Sequence, residues 1–409
     1  MDRVLEMIAG TEWDGSSLEK MLLREFHFTR RQISRLKFLP GALQVNCERS
    51  RVSRILRAGD RVRVTLPKEC RVEETPGQSN SLPQTDTRTL LAKKQAKSAD
   101  LREESVKTAR SADILWDDED LLVVNKPAGI AVHPSHGHWE DTLLRILEER
   151  NAIPSQKETA CPSAGQRTPK LYPVGRLDKD TSGLMVFAKH SVAAERLQRK
   201  GAVQKTYLAF VYGCFPPEQR VFTIDYPIRR KSGYLNRMEV VWEEIRTGEK
   251  IRRPIETRRA EKTESSAEVQ AEQEKPLPAI THGEVIEQLP GMTIVRLHLE
   301  TGRTHQIRVH LASIAHPLLG DSIYGADFPA GQDPIYGPDF PAGQAVSRGT
   351  FSKEIGRAAL HCASMVVRHP ITGDELSFES PLPEDMMRVR KRAAECKNAF
   401  GVLAASRSG

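Results

Sequence analysis

An aspartate in a turn is the first candidate for chemistry in this chain. The segment GRLDKDTSG, residues 175–183, places Asp178 two positions after Arg176 and just before a Thr-Ser-Gly turn. A carboxylate on a sharp turn between apolar segments is partly dehydrated, while nearby guanidinium and hydroxyl groups keep it ionised and fix its direction. Those properties suit a reactive carboxylate. An ordinary Asx-type turn has the same composition, so this segment alone leaves both interpretations open.

Two further clusters carry side chains that could bind or activate a substrate. One is GRTHQIRVHLASIAHPLLGD, residues 302–321, which packs four basic or imidazole side chains into eight positions: Arg303, His305, Arg308 and His310. The other is the tripeptide Lys205-Thr206-Tyr207. The chain contains no GxSxG, Walker or dinucleotide-binding motif that would indicate another class of enzyme.

These three clusters, in this order, resemble the RluA-like family of RNA pseudouridine synthases, which isomerise uridine within RNA. The resemblance runs from about Asp113 to Arg390. It passes through LLVVNKPAGIAVHPSHGH, the Asp178 segment, KTYLAFVYG, TGRTHQIRVHL, HPLLGDSIYG, ALHCASMVVRHP and SPLPEDM. It implies a mixed central sheet with the active-site cleft across it.

The resemblance also implies three catalytic roles. Asp178 is expected to lie close to the ribose C1′ atom, either attacking it or removing a 2′ proton. Arg308 is expected to pair with Asp178, holding it ionised and fixing its rotamer, unless it is simply a surface arginine. Tyr207 is expected to lie against the uracil and to assist removal of the C5 proton, although a tyrosine packed on a strand would have the same sequence.

Further residues are expected to contact RNA. By resemblance, Arg176 fills the space left when the target nucleotide is flipped out of its stack, or else clamps a phosphate. Arg303 and His305 are expected to contact RNA or to support the loop. Lys126, Pro127 and Thr181 are expected to shape the cleft rather than react.

The predicted reaction needs neither metal nor cofactor. It breaks the N1–C1′ bond and forms a C5–C1′ bond without a change of redox state. The string HPSHGH brings together three histidines (His133, His136 and His138), but no cysteine or carboxylate completes a metal-ligand set. The six cysteines form no CxxC pair, which favours reduced, structural thiols. Asp178 and Asp180 stand too close in sequence to form the acid and base pair of a glycosidase.

Composition indicates a soluble globular protein with a polyanionic partner. The 409 residues are 39% hydrophobic, enough for two or three domains, and no run of 18 apolar residues or signal-peptide pattern occurs. The cytoplasm and a monomeric state are therefore expected. The net charge is +7, and the stretch from Arg24 to Arg63 alone holds eleven Lys or Arg against three acidic residues. RNA is the expected partner: ribosomal large-subunit RNA first, transfer RNA as the alternative, with a non-catalytic RNA-binding or ribosome-assembly factor as a third possibility.

The first seventy residues resemble the small α-L RNA-binding domain. Ser16 with Glu19, and Thr29 with Gln32, have capping-box spacing, so each pair predicts the start of a short helix. Strands are predicted at 43–46 and 61–64. The second helix has four basic residues available for its outer surface: Arg30, Arg31, Arg35 and Lys37. A basic helix with a merely solvated face is the alternative.

The remaining chain is predicted to be an α+β domain with a mostly antiparallel sheet and surface helices. Polar composition predicts a flexible linker at 71–112 and a disordered insertion at 248–275 within the catalytic region, 113–390. YGADFPAGQ recurs as YGPDFPAGQ, giving a duplicated loop at 324–344, and 391–409 is predicted to be a C-terminal tail. Strands are predicted at 121–125, 184–188, 207–212, 293–299 and 364–368. Ile307, His310, Leu311 and Ile314 have helical spacing, which puts Arg308 in the first turn of a helix.

Overall fold

The structure, a computed structural model, describes residues 3–66, 70–71, 112–133, 141–152, 168–234, 236–241, 275–325 and 348–405. Almost all of the predicted linker and insertion, most of the duplicated loop, and two histidines of HPSHGH (His136 and His138) lie outside the described residues. No helix in the described part is long and apolar enough to cross a membrane.

The strands of the described residues have the following bounds. They are β1 Arg3–Ile8, β2 Leu43–Val45, β3 Glu48–Arg49, β4 Arg61–Leu66, β5 Cys70–Arg71, β6 Asp113–Asp117, β7 Leu121–Lys126, β8 Thr168–Pro169, β9 Tyr172–Val174, β10 Ser182–Ala188, β11 Val203–Tyr212, β12 Val221–Asp225, β13 Ile228–Arg230, β14 Met238–Val240, β15 Ile280–Leu289, β16 Met292–Leu299, β17 Leu360–Arg368 and β18 Glu375–Glu379. The helices are α1 Leu18–Arg24, α2 Arg30–Leu36, α3 Leu143–Ala152, α4 Ser191–Leu197, α5 Gln306–Ser313, α6 Arg348–Ile355 and α7 Glu384–Ala405.

The N-terminal module combines α1 and α2 with a small antiparallel sheet in the order β1-β4-β2-β3. The predicted capping box of α2 is confirmed: the Gln32 amide donates to Thr29 Oγ1 at 3.3 Å, and the Thr29 amide donates to Gln32 Oε1 at 2.8 Å. The predicted Ser16 cap of α1 is wrong by one residue, because Ser17 is the N-cap and accepts from the Lys20 amide. Strand β1, which pairs with β4 along its whole length, was not predicted.

Helix α2 presents its cations to solvent. Ile33 and Leu36 are buried in the core of the module, together with Gln32. The basic side chains of this region are all exposed, as expected: Arg30, Arg31, Arg35 and Lys37. The Lys37 ammonium lies 4.9 Å from the ring centre of the exposed Phe38.

The region predicted to be catalytic is built on one ten-stranded sheet. Its path is β12-β15-β16-β11-β17-β10-β7-β6, with β18 added to β17 and β9 added to β10. Among the described pairings only β10 with β17 is parallel, which confirms a mixed, mostly antiparallel sheet. Gly183 is required at that pairing, because its φ is +110° and a Cβ would lie 2.3 Å from the Cys362 carbonyl oxygen.

Helices α5 and α7 cover segments for which the sequence made predictions. Helix α5 carries Arg308 as its third residue, as the spacing of Ile307, His310 and Leu311 predicted. The described part of the segment predicted as a C-terminal tail, 391–409, continues α7, which runs from Glu384 to Ala405. Met386, Val389 and Ala393 of α7 are fully buried in a core cluster with Phe210 and Ile294, and this apolar stripe keeps the segment helical.

The N-terminal module packs against the catalytic region. Val192 of α4 is buried in the core of the module. The Arg196 guanidinium donates to the Phe26 carbonyl and lies 5.5 Å from the ring centre of Phe28. Arg3 of β1 forms ion pairs with Glu119 and, at 3.1 Å, with Asp120.

Candidate active site

Asp178 lies in the turn between β9 and β10. Leu177 before it is buried in the main core, and the amide of Thr181 donates to the Asp178 carbonyl at 3.1 Å to close the turn. The Asp178 side chain is 14% exposed. The carboxylate is therefore largely dehydrated but can still be reached by a substrate.

The buried Lys126 links this turn to the loop that follows β7. The Lys126 ammonium is fully buried and donates to the Pro127 and Ile130 carbonyls at 2.9 Å and to the Lys179 carbonyl at 3.1 Å. Burial lowers the pKa of Lys126 to about 7, although the negative charges of Asp180 and Asp178 oppose that shift. The position of Asp178 is therefore set by hydrogen bonds to its neighbours in the turn.

Arg357 supports the turn from its other side. It donates to the Asp180 carbonyl at 3.0 Å. Two hydrogen bonds to Asp385, of 2.6 and 3.0 Å, fix the guanidinium itself. Because Asp385 belongs to α7, the helix whose C-terminal part was predicted as a tail takes part in positioning the turn that carries Asp178.

Three basic side chains surround the Asp178 carboxylate at ion-pair range. Arg308 Nη1 lies 3.6 Å from Oδ2, His305 Nε2 lies 3.9 Å from Oδ2, and Arg176 Nη2 lies 3.7 Å from Oδ1. The expected pair between Arg308 and Asp178 is therefore present, but at a distance longer than a hydrogen bond. Such an arrangement surrounds the carboxylate with basic groups while its oxygen atoms stay available to a substrate.

The closest partner of Arg308 is Asp321, which sequence reasoning missed. Arg308 Nε and Nη2 donate to the two Asp321 oxygen atoms at 2.7 and 2.8 Å. The Asp321 side chain is fully buried and also accepts from the amides of Ile323 and Tyr324. Burial by itself would raise the pKa of Asp321, but the hydrogen bonds and charge of Arg308 lower it below its ordinary value. Asp321 therefore fixes the guanidinium that faces Asp178.

Tyr207 lies on β11 and lines the same cleft as Asp178. Its side chain is buried, and burial, with smaller contributions from Cys362 and the Asp178 charge, raises the pKa of the phenol well above its ordinary value. The hydroxyl therefore stays protonated at neutral pH. In this state it can donate a hydrogen bond or pack against a ring, but it is a poor base for the C5 proton.

The cleft has a volume of about 860 Å³ and brings together the predicted catalytic and RNA-contacting residues of this region: Arg176, Asp178, Tyr207, Arg303, His305 and Arg308. Thr181 also lines it, as expected, whereas Lys126 and Pro127, which were expected to shape the cleft, do not. Its lining holds six arginine or lysine residues (Arg176, Arg199, Lys200, Lys205, Arg303 and Arg308) and two carboxylates (Asp178 and Glu300). The Arg176 guanidinium donates to Thr304 Oγ1 at 2.9 Å and is half exposed at the mouth. Arg303 donates to the Pro278 carbonyl at 3.1 Å. The predicted RNA-contacting residues of the N-terminal module (Arg30, Arg31, Arg35 and Lys37) do not line this cleft.

His305 occupies an unusual backbone conformation at the start of α5. Its φ is +55°, in the left-handed region that few residues other than glycine and asparagine adopt. Nδ1 lies 3.1 Å from the Tyr324 hydroxyl, while Nε2 faces Asp178. Burial lowers the pKa of His305, and the Asp178 charge opposes that shift. Strain of this kind is typical of residues held in place at functional sites.

Among the described residues, one group of two carboxylates and a histidine meets the spacing of a metal site, but hydrogen bonds hold the histidine in a tautomer that does not suit a metal. Asp118, Asp120 and His369 place one ligand atom each within 4.8 Å of one another. His369 Nδ1 accepts from the amides of Ile371 and Thr372, so Nε2 carries the proton and donates to Asp118. A nitrogen that carries a proton cannot bind a metal ion.

Comparison with known proteins identifies the family. Residues 120–313 match the family model described as RNA pseudouridylate synthase. The ribosomal large subunit pseudouridine synthase D of Nitrosomonas europaea is 36% identical over 277 residues, which cover 67% of this chain and 62% of that protein. The RNA pseudouridine synthase YjbO of Bacillus subtilis is 31% identical over 370 residues, 90% of this chain and 96% of that protein. The solved structure of human RNA pseudouridylate synthase domain containing 4 is 23% identical, with a TM-score of 0.45 over 71% of this chain and 97% of that one. This chain belongs to the RNA pseudouridylate synthase family.

Proposed function

We propose that this pseudouridine synthase isomerises uridine in ribosomal large-subunit RNA, with Asp178 as the acting carboxylate. The observation that carries the proposal is the placement of the Asp178 oxygen atoms, which face a basic cleft at 3.6–3.9 Å from three cationic or imidazole groups. Relatives named for the ribosomal large subunit support the choice of RNA.

The reaction needs a negative charge where positive character develops on C1′ as the uracil departs. Asp178 would supply that charge, either by bonding to C1′ or by taking a 2′ proton. The uracil then turns within the cleft, C5 bonds to C1′, and the C5 proton is lost while N1 gains one. Since all atoms are retained, the residues of the cleft suffice without metal or cofactor.

Each neighbour of Asp178 then has a distinct role. Arg308, held by Asp321, would fix the carboxylate and balance its charge through the reaction. Tyr207 would pack against the uracil with its hydroxyl protonated. Arg176 at the mouth would enter the space that the flipped nucleotide leaves, because a ribose carbon cannot be reached inside a stacked helix.

The N-terminal module would add affinity. Its exposed cations on α2 are suited to phosphate contacts, which position an RNA without selecting its sequence. In the same proposal, the protein acts as a monomer in the cytoplasm, on RNA before or during ribosome assembly.

The test is to map pseudouridine after incubating the protein with ribosomal and transfer RNA transcripts. We expect modification of large-subunit RNA, and a loss of more than about a thousandfold, roughly 4 kcal/mol in activation free energy, in the isosteric variant Asp178→Asn. Asp180→Asn is the matched control, because it removes the same charge from the same turn, and it should retain most of the activity.

Three outcomes would contradict the proposal. Equal rates for Asp178→Asn and the parent would exclude the carboxylate mechanism. Modification of transfer RNA alone would show that transfer RNA, and not ribosomal RNA, is the substrate. RNA binding without any pseudouridine would indicate a non-catalytic RNA-binding factor.

A further inference from the structure

A basic hairpin stands outside the main sheet, next to the helix that carries Arg308. Strands β13 and β14 pair with each other in the register Ile228 to Val240. The hairpin is anchored by two hydrogen bonds of 2.9 Å between Ile228 and Leu277. Below it, Ile228 and Met238 pack in one apolar cluster with Val309 of α5. The base of the hairpin is therefore fixed to the active-site helix.

The tip of this hairpin presents an aromatic ring between two cations. Tyr234 is 50% exposed, although most large apolar side chains in the described part are buried. Its ring centre lies 5.2 Å from the Lys231 ammonium and 5.6 Å from the Arg237 guanidinium carbon. Lys231 takes part in no ion pair among the residues that the structure describes. Proteins that bind single-stranded RNA combine these features: a ring on which a base stacks and cations that contact the adjoining phosphates.

The same hairpin is joined to the catalytic residues through Tyr324. The Met238 amide donates to the Tyr324 hydroxyl at 2.9 Å, and that hydroxyl lies 3.1 Å from His305 Nδ1. The guanidinium groups of Arg237 and Arg308 lie 5.9 and 5.4 Å from the Tyr324 ring centre. An RNA strand held at the hairpin tip would therefore adjoin the site at which Asp178 acts.

We propose that an unpaired base of the substrate RNA, flanking the target uridine, stacks on Tyr234 while Lys231 and Arg237 contact its phosphates. This inference rests on the proposed function, since it assigns a contact to the same RNA. A purely structural role is the alternative, in which the Tyr234 ring only holds the two cations in place. The two explanations differ in what the ring contributes to RNA affinity.

The experiment compares Tyr234→Ala, Tyr234→Phe and Lys231→Gln with the parent on a stem-loop transcript that contains the modified uridine. For Tyr234→Ala, we expect the Kd and the KM to rise about tenfold, while kcat stays within twofold of the parent. Tyr234→Phe keeps a ring for stacking and should bind within twofold of the parent. Lys391→Gln is the charge control, because this exposed lysine lies on α7, outside the cleft.

A second measurement covers the case in which Tyr234→Ala folds poorly. Lys231→Gln should reduce the slope of log Kd against log salt concentration by about 0.7, the value for one phosphate contact on a single strand. An unchanged slope, an unchanged Kd in a folded Tyr234→Ala, or a Tyr234→Phe as weak as Tyr234→Ala would each overturn the inference.

The inference can fail separately from the proposed function. If the parent modifies the transcript but removal of the ring has no effect on Kd or KM, only the hairpin contact is wrong. If the parent forms no pseudouridine in any transcript, the proposed function fails, and the Kd comparison on the same transcript still tests the stacking contact.

Discussion

The charges of the cleft and the charges of helix α2 are held in opposite ways. In the cleft, the Arg308 side chain is 5% exposed and donates two hydrogen bonds to the fully buried Asp321. On α2, Arg30, Arg31 and Arg35 are exposed, and none of them forms an ion pair with another described residue. The first arrangement fixes geometry, whereas the second leaves charge available to a partner.

This difference separates two contributions to one reaction. A buried pair is hardly screened by salt, and its removal leaves an unpaired charge in an apolar environment. Exposed cations are screened and mobile, and they act by releasing counterions from RNA. We therefore expect changes in the cleft to alter the rate and the stability, and changes on α2 to alter affinity and its dependence on salt.

The largest effect beyond Asp178 itself is expected for Asp321→Asn. Removing one partner of a buried ion pair should lower the free energy of unfolding by about 3–5 kcal/mol. It should also reduce kcat roughly a hundredfold, because the Arg308 guanidinium loses its fixed position beside Asp178. Urea unfolding and single-turnover rates measure the two effects.

The control for this prediction is Glu284→Gln. Glu284 pairs with Arg296 at 2.8 Å, but both side chains are more than 40% exposed, so the change should cost less than about 1 kcal/mol. If Asp321→Asn is as stable and as active as Glu284→Gln, the contrast between buried and exposed charge does not hold.

The second prediction concerns the pH dependence of stability and the buried Lys126. Its pKa is about 7 in the folded state against 10.5 for a free lysine, so between these values the unfolded state binds more protons and stability rises with pH. From pH 7.5 to 9.5 the free energy of unfolding of the parent should rise relative to Lys126→Met by about 2–3 kcal/mol. Urea unfolding across this pH range measures it.

Lys37→Met gives the matched control, since Lys37 is an exposed lysine of the N-terminal module. This variant should follow the pH dependence of the parent. A Lys126→Met variant with the same pH dependence as the parent would show that the buried ammonium is not titrating in this range.

The sequence was sufficient for features that depend on neighbouring residues. The capping box of Thr29 and Gln32, the turn around Asp178 and the helical spacing that places Arg308 are local, and all appear in the structure. Asp321 was missed because its role depends on an interaction across thirteen residues that only the folded chain brings together. Local pattern carries little information about such an interaction.

Two features that the sequence did not predict have a similar origin. Strand β1 has apolar residues on both of its faces, so its alternation is weak, and only pairing with β4 defines it. The described part of the predicted tail is helical because it continues α7, in which Met386, Val389 and Ala393 have helical spacing and are buried against the ten-stranded sheet. In both cases tertiary packing determined the structure.

The third prediction tests the exposed side of the comparison directly. Replacing Arg30, Arg31, Arg35 and Lys37 with glutamine should weaken RNA binding roughly tenfold, about 1.4 kcal/mol, and leave kcat at saturating RNA unchanged. The slope of log Kd against log salt should fall by about 0.7–0.9 for each phosphate that the variant no longer neutralises. Four glutamine substitutions on α7, at the exposed Arg388, Arg390, Lys391 and Arg392, are the control for net charge. An unchanged slope would leave the basic face of α2 without a role in RNA binding.

The smallest effect is expected for Thr29→Ala, which separates the fold of the module from its charge. The Thr29 hydroxyl accepts from the Gln32 amide at the start of α2, and its removal should lower the stability of the module by about 1 kcal/mol. Thr29→Ser keeps the accepting oxygen and should lose only a small part of this. Because all four cations stay in place, the salt slope should match the parent, although the Kd rises slightly as the helix end frays. The salt slope of Thr29→Ala could instead fall as far as that of the fourfold glutamine variant. That result would mean that the order of α2, and not its charge alone, sets the number of phosphates that the module binds.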